Sequence, residues 1–477
     1  MDDQSLAFAS AQQLAELVRT RQVSPVELVD LFLDRIVALN PRLNAYLTVA
    51  ADQARAAARE AERAVAGDGS LPPLLGVPLS IKDLHATKGI RTTFGSYVYR
   101  DHVPQEDAVA VERLRRAGGI ILGKTNTPEF GQSATTENRL GDHCRNPWHP
   151  ERTSGGSSGG AAAAVAAGLG PLALGSDGGG SIRVPAGFCG VVGFKPTFGR
   201  VPAHGGLGGM PLFSHLGPIT RTVRDAALML GVIAGFDRRD PNSLRQAPPD
   251  FLGALAGDPA SALRDLRVAW SPDLGYARVD PEVCAVAGAA ARVFVDFGCH
   301  VEEASPAAGS PFSIFGPLVA VDEYAATGHL LLDHADELMR YVRATFEHGQ
   351  GVMGFEYSQA LRGLERYRAQ MADFFEVHDL LLCPTNAVPA FPVGRRPRVI
   401  DGQQVDTLWG PFPFTAPFNL SGQPAITVPC GFSVDGLPIG LQIVGRVGDE
   451  VTVLRAAAAF EQARPWAGVR PPLAVLP

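Results

Sequence analysis

The sequence predicts an α/β protein, a β-sheet with helices on both faces. Three observations carry this. Short apolar runs alternate with amphipathic stretches of helical period along the chain, and such a pattern packs as layers of helix on sheet. The 477 residues are 46% hydrophobic, enough to bury a large core. Charged residues make up 19%, below the ~25% of an average soluble protein, and 53 glycines and 38 prolines punctuate the chain. That balance excludes a disordered chain and favours a loop-rich enzyme.

Residues 10–39 read as two amphipathic helices. The second opens at Ser24-Pro25-Val26-Glu27: Ser24 caps, Pro25 takes the first helical position, where its missing N–H is no loss, and Glu27 closes a capping box. An Ala-rich helix at about 50–66 leads to the polar turn Gly67-Asp68-Gly69-Ser70. Val77 to Asp83 reads as a short buried strand carrying Lys82. Helical period follows over 107–117, an apolar strand over 119–123, and a helix over 161–168 that starts directly from a glycine loop. The alternation resumes with a strand at 266–270, a helix at 281–297 and a strand at 380–384. Residues 424–430 and 437–444 read as two strands joined by the turn Val434-Asp435-Gly436. The polar, Pro-containing stretch 238–262 reads as a surface excursion, and with neither a 20–50-residue repeat nor a Pro/Ser-rich linker, one large domain is expected.

Charge and cysteine usage narrow the function. Lys and Arg total 42 against 49 Asp and Glu, so the net charge of −7 offers no basic field for phosphates, and nucleic acid is not expected as a direct ligand. Cys144, Cys189, Cys284, Cys299, Cys383 and Cys430 are scattered, with no CxxC and no Cys/His cluster of ligand spacing. They read as reduced core thiols, and no metal is expected. The N-terminus, with Asp2 and Asp3, lacks the basic start of a secretory signal, and the Ala/Gly-rich run 161–175 is broken by Pro171, short of the ~20 apolar residues of a membrane span. A soluble cytoplasmic protein with no membrane partner is expected.

Two motif matches fail on context. Residues 118–125, Gly-Gly-Ile-Ile-Leu-Gly-Lys-Thr, fit the GxxxxGK[ST] phosphate loop, yet Ile120, Ile121 and Leu122 are themselves the strand and Asn126-Thr127-Pro128 follows where the helix should start. Gly156-Ser157-Ser158-Gly159-Gly160 fits the GxSxG elbow with Ser158 as nucleophile. That arrangement needs a later histidine, and His378 is the last in the chain, ahead of the closing strands. What stands out is 153–197, where two Gly/Ser loops surround a helix and a short strand; flexible linkers do not interleave with packed elements in this way. Gly178, Gly179, Gly180 and Ser181 can turn successive N–H groups onto one oxygen, an oxyanion hole built without side chains.

These residues resemble the amidase signature family, which includes fatty acid amide hydrolase, bacterial amidases and the A-type chain of glutamyl-tRNA amidotransferase. The resemblance runs from GVPLSIKD at about 75 through GKTNTPEFG, GGSSGG, GSDGGGSIRVPAGFCGVVGFKPT and LGPITRTVRDAA to GQPAITVPCGF and GLPIGLQIVG. It implies one amidase-signature domain over 1–477: N-terminal helices over 10–66, a signature core over about 75–227, and a variable substrate-pocket region over about 238–420. The implied fold is one large, mixed, twisted sheet flanked by helices on both faces.

The resemblance also implies a Ser–cis-Ser–Lys triad: Ser181 as nucleophile, Ser157 after a cis Gly156–Ser157 bond as proton relay, and Lys82 as base. Lys82 would then have to be neutral, which for an amine near ~10.4 requires burial away from carboxylates, and the neighbouring Asp83 points to the other face of a strand. Taken alone, Lys82 reads as a surface lysine paired with Asp83; three motifs at family spacing tell against that. Asp177 and Arg183 match the family's structural ion pair, though unrelated surface charges fit the spacing too, and Ser158 is a supporting neighbour.

The implied activity is hydrolysis of a carboxylic amide through a Ser acyl-enzyme, with esters and carbamates (urethanes) as side substrates and no cofactor. The alternative is the A-type subunit of a glutamine-dependent tRNA amidotransferase, and a non-catalytic scaffold is disfavoured because all three triad positions are filled. Residues 407–414 carry no acid to meet glutamine's ammonium, so Trp409, Phe412 and Phe414, with Phe312 and Phe315, are expected to line an apolar pocket for a small amide or carbamate. Each of the three aromatics at 409–414 reads equally well as core. A monomer or homodimer is expected.

Overall fold

The computed structural model describes residues 2–67, 69–207 and 209–475. Eleven strands form one mixed sheet: β1 (Tyr46–Val49), β2 (Pro78–Lys82), β3 (Ile120–Thr125), β4 (Leu172–Asp177), β5 (Val192–Lys195), β6 (His215–Thr220), β7 (Arg267–Trp270), β8 (His300–Glu303), β9 (Leu380–Pro384), β10 (Ala425–Phe432) and β11 (Pro438–Gly445). Their order is β1-β3-β2-β4-β6-β5-β10-β11-β9-β7-β8. The strands β3, β2 and β4 run parallel, as do β9, β7 and β8, and antiparallel pairs join these blocks and close the β1 edge.

Alternation along the strands splits the core between two faces. Ile121, Leu172 and Leu174 pack with the helices Val223–Ile233, Pro281–Asp296 and Glu450–Ala463. Ile120, Leu122 and Ala173 point the other way, onto the helices Pro25–Leu43, Ala51–Ala66 and Gly159–Ala166. A third cluster on Leu381, Cys383, Ala425 and Val444 gathers the helices Phe312–Thr327, Gly354–Val377 and Ala416–Leu420.

The helix at Pro25 starts as expected: Ser24 accepts from the Val26 amide at 3.0 Å, and the Glu27 carboxylate accepts from the Ser24 amide at 3.1 Å. The expected turn at 67–70 includes Asp68, which lies outside the described residues. The stretch 238–262 runs over the surface in two short 3₁₀ turns, anchored by buried Phe251 and Leu255. Lys124, the lysine of the phosphate-loop match, lies inside β3, where its Nζ donates at 2.6 Å to the His85 carbonyl and at 2.6 Å to the Thr92 hydroxyl. Phe312 and Phe315, expected at the pocket, lie in the first turns of the helix Phe312–Thr327, which carries Pro317 within it. All six cysteines are free thiols. Among the described residues no helix is long and apolar enough to cross a membrane.

Candidate active site

The parallel trio β3-β2-β4 sets its C-terminal ends side by side, Lys82 opposite Thr125 with Asp177 closing β4, and the glycine-rich loops cross that edge. Every residue of β2 is buried, Lys82 included. Its Nζ lies 2.7 Å from Ser157 Oγ and 3.1 Å from Ser176 Oγ. Burial pushes the Lys82 ammonium down to about 7, against the opposing pull of Asp177. Asp83 turns away as expected, 3.7 Å from Lys124 and bonded to the Thr93 amide at 3.0 Å.

Ser157 sits in the loop between the short strand His149–Thr153 and the helix Gly159–Ala166, after a cis Gly156–Ser157 bond. Ser158, the elbow candidate, is tied to its surroundings: its amide donates to the Ser181 carbonyl at 3.0 Å and its hydroxyl to the Ser176 carbonyl at 3.2 Å. These bonds lock the two loops together.

Ser181 lies in the turn between β4 and the helix Arg183–Cys189, and Asp177 organises that turn. The Asp177 carboxylate accepts from the Gly180 amide at 2.7 Å and the Ile182 amide at 3.1 Å, and Arg183 closes on it at 2.8 and 3.0 Å. Burial works to raise the Asp177 carboxyl, and the Arg183 guanidinium overrides it, holding it well below the usual carboxylate range. The pair is fully buried, which rules out the surface alternative for these charges.

The expected set of four oxyanion amides needs one correction. Gly180 spends its N–H on Asp177, while the amides of Gly178, Gly179 and Ser181 have no acceptor among the described residues. Gly180 adopts φ +132°, and a β-carbon there would collide with the Thr415 hydroxyl. That hydroxyl donates to the Gly179 carbonyl at 2.7 Å.

A cavity of about 300 Å³ opens over Ser157, Ser176, Gly178 and Ser181. Its walls include Leu84, Phe130, Leu207, Met210, Val201 and Leu216. None of the five aromatics expected there lines it, which corrects the pocket assignment. Phe412 and Phe414 are wholly buried in the third core cluster. Half-buried Trp409 stacks on Phe312 at 4.9 Å between ring centres and meets Phe315 edge-on. Phe315 packs behind the site, its ring filling the space a Gly179 side chain would need. An apolar pattern reports burial, and core and pocket wall are alike in that respect.

The expectation of an apolar pocket is also corrected, since Glu323, Asp240 and Arg239 line the cavity. Burial raises the Glu323 carboxyl to about 8, opposed by a bond from Gln132. The sequence reading also passed over Ser176, Thr415, Asn419 and Gln442. Asn419 donates to the Asp177 backbone at 2.8 Å and accepts from Arg183 at 2.6 Å, and Gln442 accepts from Arg183 at 2.7 Å. The serine within GSDGGG was visible in the motif; the other three lie more than two hundred residues from the turn they hold.

The amidase family profile matches residues 27–454. An acylamidase of Rhodococcus erythropolis is 41% identical over 99% of this chain and 98% of its own length. The A-type chain of the glutamyl-tRNA(Gln) amidotransferase of Roseiflexus sp. (strain RS-1) is 38% identical over 96% of this chain and 97% of its own. Among solved structures, a bacterial aryl acylamidase of the amidase signature enzymes superposes with a TM-score of 0.91 at 34% identity, covering 96% of this chain and 97% of that one. A 6-aminohexanoate cyclic dimer hydrolase superposes with a TM-score of 0.88 at 32% identity, covering 98% and 100%.

Proposed function

The chain belongs to the amidase family, and from that premise we propose that it hydrolyses carboxylic amides through an acyl-enzyme on Ser181. The observation that carries the mechanism is the 2.7 Å contact between Ser157 Oγ and a buried lysine whose proton is held loosely, beside the cavity that Ser181 also lines. Ser181 Oγ attacks the carbonyl carbon and passes its proton to Ser157, which passes its own to Lys82 Nζ. The free amides of Gly178, Gly179 and Ser181 hold the oxyanion. The relay then runs backwards, Lys82 to Ser157 to the departing nitrogen, and the amine leaves. Water enters by the same steps and releases the acid.

The apolar walls and the acylamidase relatives support apolar acyl or aryl amides as substrates, with esters and carbamates cleaved by the same attack. Six free thiols suit a reducing compartment, and we assign the reaction to the cytoplasm. The amidotransferase reading has a 38% identical relative behind it and differs in its substrate, glutamine. Incubation with an aryl carbamate followed by fragment-ion sequencing of the 153–183 peptide, which carries both serines, tests the proposal: a carbamoyl group on Ser181 is expected, and a carbamoyl group on Ser158 instead would reverse the roles.

A further inference from the structure

Most buried acids of this chain have their counter-charge or amides in place. Asp177 has Arg183 at 2.8 Å, Glu450 has Arg200 at 2.9 Å and Asp83 has Lys124 at 3.7 Å. Asp225 accepts from the Ala11 and Gln12 amides at a helix start, and Glu129 from the Ser96 hydroxyl and the Met339 amide. Glu323 differs. It is 6% exposed, and among the described residues its carboxyl accepts one bond, from Gln132 Nε2 at 2.8 Å, and no cation pairs with it. It is also on the wall of the cavity that holds Ser181.

A carboxyl buried without a cation is costly, and a leucine would fill the place at no such cost. The chain instead makes room for it. Gly209, at φ +74°, faces Glu323, and a β-carbon there would lie 2.7 Å from Oε1. Gln132 Oε1 adds a second acceptor with no donor among the described residues. The Glu323 carboxyl on the cavity wall, with the unpartnered Gln132 oxygen behind it, presents two acceptors that suit a positively charged donor.

We propose that Glu323 is a specificity-determining residue that receives an aliphatic ammonium at the far end of an otherwise apolar amide. This rests on the amide-hydrolysis reading and adds a substrate class to it. The spacing follows from one helix: Phe315 packs on Gly179 beside Ser181, and Glu323 comes about 12 Å further along the same axis. Next to Gly209, Met210 touches the position of a Gly178 side chain, so one Cα step plus the reach of the methionine puts the carboxyl and the oxyanion turn on the order of 10 Å apart. A substrate of that length lays its chain along Leu84, Leu207 and Met210.

The test compares 8-aminooctanoyl p-nitroanilide with the isosteric nonanoyl p-nitroanilide. Apolar walls alone favour the nonanoyl chain, so a wild-type kcat/KM higher for the amino substrate by about tenfold, carried by KM, is diagnostic. Glu323→Gln should bring that ratio down towards one, and Glu323→Asp, which keeps the charge, should retain part of it. A wild-type preference for the nonanoyl chain, or a ratio unmoved in Glu323→Gln, overturns the proposal. Calorimetric binding of octylammonium to wild type and Glu323→Gln reads the same site without turnover. Glu323-dependent binding with neither anilide cleaved would sink the hydrolysis reading and leave the ammonium site standing. Cleavage of both anilides without a Glu323-dependent preference would do the reverse.

Discussion

Lys82 lies at the end of a strand buried along its whole length, and that burial decides its protonation. With the ammonium held down to about 7, the neutral amine accumulates as pH rises past that value. In the proposed relay the neutral form is the base, so kcat/KM on an acyl anilide should climb through about pH 7 and level off above it. A profile already level well below that point would remove Lys82 from the role. Lys82→Arg should fail at every pH, by at least ~10²-fold, because a guanidinium does not release its proton in this range. Steady-state assays of the serines separate them further: Ser181→Ala should abolish turnover, while Ser158→Ala, whose hydroxyl only donates to the Ser176 carbonyl, should lose far less. Motif residues such as Lys82, Ser157 and Ser181 are legible because each lies within a short contiguous motif. Glu323 is not, since a lone glutamate on a helix has nothing nearby in sequence to mark it.

At the scale of elements, the turn from Asp177 to Arg183 is held from outside. Arg183 donates to the Thr415 carbonyl at 2.9 Å as well as to Asn419 and Gln442, and Thr415 holds Gly179 in turn. Asp177→Asn leaves Arg183 buried without its counter-charge, and a loss of about 3–5 kcal/mol in urea unfolding is expected. A variant as stable as wild type would show the pair to be dispensable. Thr415→Val leaves the Gly179 carbonyl without its donor and should cost about 1–3 kcal/mol, together with a fall in kcat larger than any change in KM. The Asp177/Arg183 pairing is implied by the family resemblance, since the spacing alone fits unrelated surface charges too. Thr415, Asn419 and Gln442 could not be expected, because contacts across more than two hundred residues leave no periodic trace. The same blindness put Phe412 and Phe414 in the pocket.

For the whole molecule, alternation named the strands but not their neighbours. The hairpin β10–β11, among the last elements of the chain, lies between β5 and β9 near the middle of the sheet. Without it the sheet falls into a six-stranded and a three-stranded piece with open edges. A chain ending at Leu420 should therefore show no cooperative thermal transition by circular dichroism and should aggregate; a soluble, cooperatively melting product would contradict this. Substrate choice is also a property of the assembled cavity, whose walls come from many segments. Its apolar lining predicts a higher kcat/KM for an acyl anilide than for free glutamine, and the opposite order would favour the amidotransferase reading.

That central hairpin also sets a timetable. Lys82, Ser157 and Ser181 leave the ribosome early, whereas Thr415, Asn419 and Gln442, which fasten the Asp177–Arg183 turn, emerge near the end. At ~5–20 residues per second the interval is on the order of ten to fifty seconds. Throughout it β5 presents an unpaired edge, the kind of surface a nascent-chain chaperone shields. In the proposed mechanism the reacting side chains therefore wait through synthesis for the contacts that fasten their turn, and competence is expected only once the final strands slot into the middle.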